Sequence, residues 1–161
     1  MRPANFPTIR IAQLACLINK GQKFFSKIIA IDDGRELEKF FAAHQSAYWM
    51  HHYHFFKEFK KEIDTLGGES INSLIINTVA PMLVAYGKAK DDQQYIDRAV
   101  SILQNLPAET NRITRRWKEL GLNVKNAFDS QAMVGLYNNF CLKRRCLDCK
   151  IGTSLVNPLQ K

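Results

Sequence analysis

Residues 71–86 set the terms on which this chain can fold. Ile71, Leu74, Ile75, Thr78, Val79, Met82, Leu83 and Tyr86 recur at alternating spacings of three and one, the pattern of one helix face. Ile76, Ala80 and Val84 add a second apolar stripe. A helix that is apolar almost all round has to be enclosed by others, so this one is expected at the centre of an all-α core. Pro81 lies inside it. Proline offers no N–H to the Asn77 carbonyl and its ring crowds that turn, which predicts a kink. The apolar stretch Leu74–Tyr86 is broken by Asn77, Thr78 and Pro81 and falls short of the roughly twenty residues that cross a bilayer. No membrane partner is expected.

Helical spacing recurs on both sides of this segment. Ile11, Leu14, Ala15 and Ile18 repeat at helical intervals, and Gly21 is placed to end that helix. Asp33 is a cap for a helix with Leu37, Phe40 and Phe41 inward. The aromatic-rich stretch 46–56 is expected to be helical, although its period is ambiguous. Gly67-Gly68 breaks the chain before the central helix, for which Ser70 is the expected cap. Asp91 is the expected cap of the next helix, with Tyr95, Ile96, Ala99, Val100 and Leu103 inward and Pro107 beyond its end. Ile113, Trp117 and Leu120 then define a helix closed by Gly121. The final long helix is expected from about Ser130, with Met133, Leu136, Tyr137 and Phe140 inward. There is no repeat, low-complexity run or linker. The expectation is one compact multi-helix domain over residues 1–161, with a cysteine knuckle at 141–152.

At 161 residues, with 46% apolar and 24% charged side chains, the chain is long enough for a core without disulfides and is not disordered in composition. Its formal charge of +8 is unevenly spread. Residues 1–29 hold five bases and no acid, residues 30–105 eight bases and eleven acids, and residues 106–161 ten bases and four acids. The N-terminus has no continuous apolar segment with a small-residue cleavage site, so no signal peptide is read. Three of the four cysteines lie within nine residues, which suits a reducing compartment, and the cytoplasm is the expected location.

Those three, Cys141, Cys146 and Cys149, are the sharpest chemical feature. The two-residue gap between Cys146 and Cys149 lets both thiolates turn toward one ion, as in half of a zinc knuckle or an iron–sulphur cluster. Cys141, four residues after Tyr137, is expected on the inward face of the preceding helix. Lys143, Arg144, Arg145 and Lys150 would offset the thiolate charge. Zinc is favoured over a cluster, because neither a proline nor a fourth local cysteine completes a cluster signature. Tetrahedral closure needs a fourth ligand; Cys16 or a histidine such as His52 could supply it. Cys16 lies in an apolar helix, where a packed thiol is the plainer reading. His44, His51, His52 and His54 sit among aromatics, where packing is again the plainer reading. The plain alternative for the knuckle is three metal-free thiols.

Arg112, Arg115 and Arg116 are spaced by three and four on one predicted helix. With Lys143, Arg144 and Arg145 they would make a basic strip suited to a phosphate backbone, or else a solvated face. No Gly-rich phosphate loop, H-E-x-x-H pair or nucleophile elbow occurs, so no catalytic residues are assigned within the chain.

Several spaced motifs together resemble an uncharacterised bacterial family, the domain of unknown function 2851 family. They are Arg2-Pro3-x-Asn5-x-Pro7-x-x-Arg10-Ile11-Ala12-Gln13, Tyr48-Trp49-x-x-His52-Tyr53-x-Phe55, and Asn77-Thr78-x-x-Pro81-x-Leu83-x-Ala85-Tyr86-Gly87. Asn111-x-x-Thr114, residues 131–137 and the three cysteines with Ile151-Gly152 continue the likeness. The resemblance implies longer members, of which this chain is similar to the C-terminal part. It implies a nuclease-like α/β fold in what precedes, with any catalytic residues there. It also implies that Cys141, Cys146 and Cys149 act as a set, and it weakens Cys16 as a ligand. The resulting expectation is a non-catalytic basic helical module with a structural metal, docking nucleic acid or the N-terminal region of its own protein. The alternative is a purely structural, metal-free domain.

Overall fold

The structure, a computed structural model, describes residues 6–20, 23–42 and 44–156. The expected helix end at Gly21 and the motif residues Arg2, Pro3 and Asn5 lie outside the described residues. The chain is all-α, 69% helical, with one two-stranded sheet among the described residues. It gathers into two compact units, Met1–Ile102 and Leu103–Lys161, within the span expected to form a single domain.

The first unit begins with α1 (Pro7–Lys20), α2 (Phe24–Ala30), α3 (Gly34–Phe41) and the short α4 (Ala47–Met50). Both sides of α1 are apolar, and the structure buries the side that the spacing did not select. Ile9, Ala12, Gln13 and Leu17 are inside, whereas Ile11, Leu14 and Ile18 are 65%, 55% and 63% exposed. Asp33 caps α3 as expected, its carboxylate accepting from the Arg35 N–H at 3.1 Å, and Leu37 and Phe41 are buried.

The aromatic stretch is a helix only as far as Met50. It then forms β1 (His52–His54), antiparallel to β2 (Lys57–Glu58), with His52 opposite Glu58 and His54 opposite Lys57. Phe56, in the connecting turn, has φ 66° and is fully exposed. Ring contacts rather than helical period organise this segment. His52 stacks on Tyr48 with centroids 3.9 Å apart, and Trp49 meets Phe55 edge-on at 5.1 Å. Dense aromatics with no clear period favour strand pairing once a turn is available.

The central helix runs continuously from Gly68 to Lys90, starting two residues before the expected cap Ser70. Its disturbance takes the form of a π turn, Ile75–Val79, between α5 (Gly68–Leu74) and α6 (Ala80–Lys90). The Ala80 N–H closes back to the Ile75 carbonyl, and Pro81, which has no N–H to contribute, follows directly. Ile75, Val79 and Leu83 are fully buried, and Ile71 and Ile76 nearly so. By length and composition alone this 23-residue helix is long enough to cross a membrane, which the broken apolar run did not suggest.

The next helix, α7 (Gln93–Asn105), is capped by Asp92, which accepts from the Gln94 N–H at 3.0 Å. The expected cap, Asp91, instead ends α6 in the left-handed region at φ 54°. Two consecutive aspartates offer the same chemistry, and the turn geometry decides between them. Gly87 makes the turn possible, since a Cβ there would lie 2.8 Å from the Asp92 carbonyl oxygen.

The second unit is built on α8 (Arg112–Glu119), α9 (Ala127–Leu136), a second π turn (Tyr137–Cys141), a 3₁₀ turn (Cys146–Asp148) and α10 (Lys150–Val156). Helix α9 starts at Ala127, before the expected Ser130, because Asn126 caps it by accepting from the Asp129 N–H at 3.0 Å. Ser130 is fully buried and bridges outward, donating to the Ala127 carbonyl and accepting from the Glu109 N–H.

The two sides of α1 supply a direct test. Ile9→Ala is expected to destabilise by about 2–5 kcal/mol, the usual cost of emptying a core isoleucine. Ile11→Ala should stay within about 0.5 kcal/mol. Urea unfolding of both variants checks the assignment, and equal losses would refute it.

Candidate functional site

Helix α8 is firmly started and firmly stopped. Asn111 accepts from the Ile113 and Thr114 N–H groups at 2.9 and 3.0 Å, and the Thr114 hydroxyl accepts from the Asn111 N–H at 2.9 Å, a reciprocal capping box. At the other end Gly121, with φ 86°, donates to the Lys118 carbonyl while Leu122 donates to that of Trp117. This is a Schellman closure, and it needs the left-handed residue that glycine supplies. Between these ends, Trp117 donates its indole N–H to the Met133 carbonyl at 3.3 Å, tying α8 to α9.

Arg112, Arg115 and Arg116 are all exposed along α8. Arg115 reaches back to the Asn111 carbonyl at 3.4 Å. Among the described residues none of the three forms a salt bridge. Leu120, expected inward, is 74% exposed. It borders a cavity of about 320 Å³ together with Ile113, Arg116, Trp117, Tyr137 and Cys141.

The cysteine segment begins where the second π turn ends. Its i to i+5 closure, Leu142 N–H to the Tyr137 carbonyl at 2.8 Å, widens the turn, so four residues no longer return a side chain to the same face. Cys141 is exposed, although it still borders one cavity with Tyr137. The chain reverses at Arg144, φ 54°, with Arg144 donating to the Cys141 carbonyl and Arg145 to that of Phe140. Lys143, Arg144 and Arg145 are exposed. Arg145 is engaged with Asp148 at 2.9 Å and lies 5.9 Å from the Phe140 ring. Cys146 is exposed and Cys149 buried, and the Cys149 N–H donates to the Cys146 carbonyl at 3.3 Å.

All three cysteines line one cavity of about 220 Å³, with Trp117, Phe140 and Leu155. The set read from the sequence is thus brought around a common space. Among the described residues, however, no three histidine, cysteine, aspartate or glutamate side chains are gathered so as to hold a metal ion. As placed, the thiols do not fit a closed zinc or iron–sulphur site.

The fourth-ligand candidates belong to the first unit. Cys16 is half-buried on α1. His52 donates through Nδ1 to the Tyr48 carbonyl at 2.7 Å and stacks on the Tyr48 ring, the packing expected of a histidine among aromatics.

The profile of a family described as "Protein of unknown function (DUF2851)" matches residues 1–112. The chain belongs to this family. No curated protein and no solved structure matches the chain. The DUF2851 match takes in the first unit and ends at Arg112, the first residue of α8. The likeness read over residues 131–137 and the cysteines lies beyond it.

One residue essential to the geometry had no assigned role from sequence. A Cβ on Gly152 would lie 2.1 Å from the Cys146 carbonyl oxygen, so α10 can close on the 3₁₀ turn only with glycine there. The signal available was a glycine three residues after Cys149, inside what proves to be a helix. Gly152→Ala is expected to part α10 from the turn and expose Cys149. Its thiol should then react with Ellman's reagent at a rate approaching that of Cys146, whereas in the wild type it lags well behind.

Proposed function

We propose that residues 103–161 form a non-catalytic basic module that docks onto the phosphate backbone of a nucleic acid, with the cysteine segment as its structural clasp. The observation that carries this reading is the exposure of Arg112, Arg115 and Arg116 on a helix capped at both ends. Lys143 and Arg144 are exposed in the same unit. Arg116 and Cys141 border one cavity, which puts the α8 strip and the cysteine segment side by side. Exposed guanidinium groups without carboxylate partners keep their charge for a polyanion, and binding of this kind releases counterions.

The affinity of the 161-residue chain for a nonspecific duplex or single strand should fall steeply as salt rises. Arg112→Ala with Arg116→Ala should lower the logarithmic salt slope by about one unit for each phosphate that is no longer neutralised. Arg145, held by Asp148, should contribute less than Arg116. Absence of salt-sensitive binding at low ionic strength would end this reading in favour of docking to another part of the same protein.

Zinc, with an iron–sulphur cluster as runner-up, is the second reading of the cysteine segment. The shared cavity and the Cys146–Cys149 spacing favour it, and it requires the thiols to draw together on loading. Protein purified in a reducing cytoplasm should then carry close to one equivalent of zinc, lost in Cys146→Ser. A colourless protein without transition metal leaves a metal-free clasp, and a brown one favours the cluster.

A further inference from the structure

Ring-to-ring contacts among the described residues all lie in the first unit. In the second unit Trp117 and Tyr137 are half-buried and have no ring partner among those residues. Both border the cavity of about 320 Å³ beside α8, with Ile113 and Leu120 completing its apolar wall. This volume lies at the small end of the range that encloses organic groups.

The indole is not free to swing in and fill the space. Its N–H is engaged with the Met133 carbonyl at 3.3 Å, which fixes the ring before any ligand arrives. Tyr137 opens the second π turn, so its ring is rooted in the helical run that continues α9. Leu120, 74% exposed, forms the edge at which the cavity meets solvent.

Two opposite charges stand on the lining, Arg116 and Glu119. Both are exposed, and among the described residues neither forms a salt bridge. A phosphate is attracted by the guanidinium and repelled by the carboxylate. A polyanion can therefore lie along the Arg116 side, while the interior is left to an uncharged flat group. A nucleotide carries both parts on one sugar.

We infer that this cavity takes one unstacked base of a single-stranded nucleic acid, laid against Trp117 and Tyr137 while its phosphate meets Arg116. The site rests on the phosphate-binding reading of residues 103–161 given above, and it names the strand that this module prefers. In a duplex the base faces are covered by neighbouring bases, whereas a single strand can offer them to aromatic side chains. Every base has such a face, so the site tolerates many sequences.

The probes are dodecathymidylate and an abasic strand of the same length, which keeps the phosphates and lacks the bases, each titrated at low salt into the full 161-residue protein. Thymidylate is expected to bind about tenfold more tightly. Tyr137→Leu should bring the two strands to within about threefold of each other and leave the salt slope unchanged. With iodouracil in place of one thymine, irradiation should join the strand to Trp117 or Tyr137, as read by peptide mass spectrometry, and annealing the complement first should abolish that crosslink. Equal affinity for the two strands would overturn the base site while leaving salt-sensitive phosphate binding in place. Binding of neither strand would overturn both readings. A crosslink that survives annealing, or one confined to the first unit, where Phe55 and Phe56 are also exposed, would likewise overturn the site. The wild-type comparison and the crosslink decide the matter even where Tyr137→Leu does not fold.

Discussion

Burial of one side of the Gly68–Lys90 helix organises the first unit. Ile71, Ile75, Ile76, Val79 and Leu83 leave water together, and each such side chain contributes on the order of 1.5–3 kcal/mol. Everything else in the unit accommodates that row. Helix α1 presents Ile9 and Leu17 inward, and Gly87 lets the chain fold back closely into α7. The π turn reconciles this burial with Pro81. The widened turn closes from the Ala80 N–H to the Ile75 carbonyl immediately before Pro81, which places the proline in the first turn of α6, where a missing N–H costs least.

The second unit depends less on bulk burial and more on how its segments end. Few of its large side chains are fully covered, and Leu120, Leu142, Leu147 and Leu155 are all largely exposed. Its order comes from caps and close approaches: the Asn111–Thr114 box, the Gly121 closure, the Asn126 cap and the contact of Gly152 with Cys146. Such devices are worth roughly a kilocalorie each, and here they set the direction of the helix that carries the exposed arginines.

The all-α class was legible because 3.6-residue periodicity is strong in most segments. Where the reading missed, a local competition that spacing cannot weigh was decided by geometry. Two adjacent aspartates exchanged roles, because Asp91 adopts the left-handed conformation and leaves Asp92 to cap. On α1 both faces are apolar, so pattern alone could not choose between Ile9 and Ile11. Ring-to-ring contacts drew residues 52–58 into a hairpin. Sequence proximity did bring the three cysteines around one cavity, but Cys141, the last residue of the π turn, is exposed rather than buried. The cavity of about 560 Å³ between α1 and the central helix, lined by Leu17, Phe41 and Leu66, was not legible at all. Its polar wall joins Arg10 to Ser70 across 60 residues, and no local pattern announces such a pairing.

The first π turn also divides the central helix into two independently phased halves. Successive residues of an α-helix advance by about 100° around its axis, and the i to i+5 closure at Ile75–Val79 absorbs one residue without passing that rotation on. Loss of a single residue there would convert the turn to ordinary α geometry and leave the two halves in their present alignment, whereas loss of a residue from α5 or α6 would turn one half against the other by about that angle. The turn serves as a phase spacer: it keeps the buried rows of α5 and α6 in line along one helix, and within that helix a one-residue loss is better absorbed in those five residues than on either side of them.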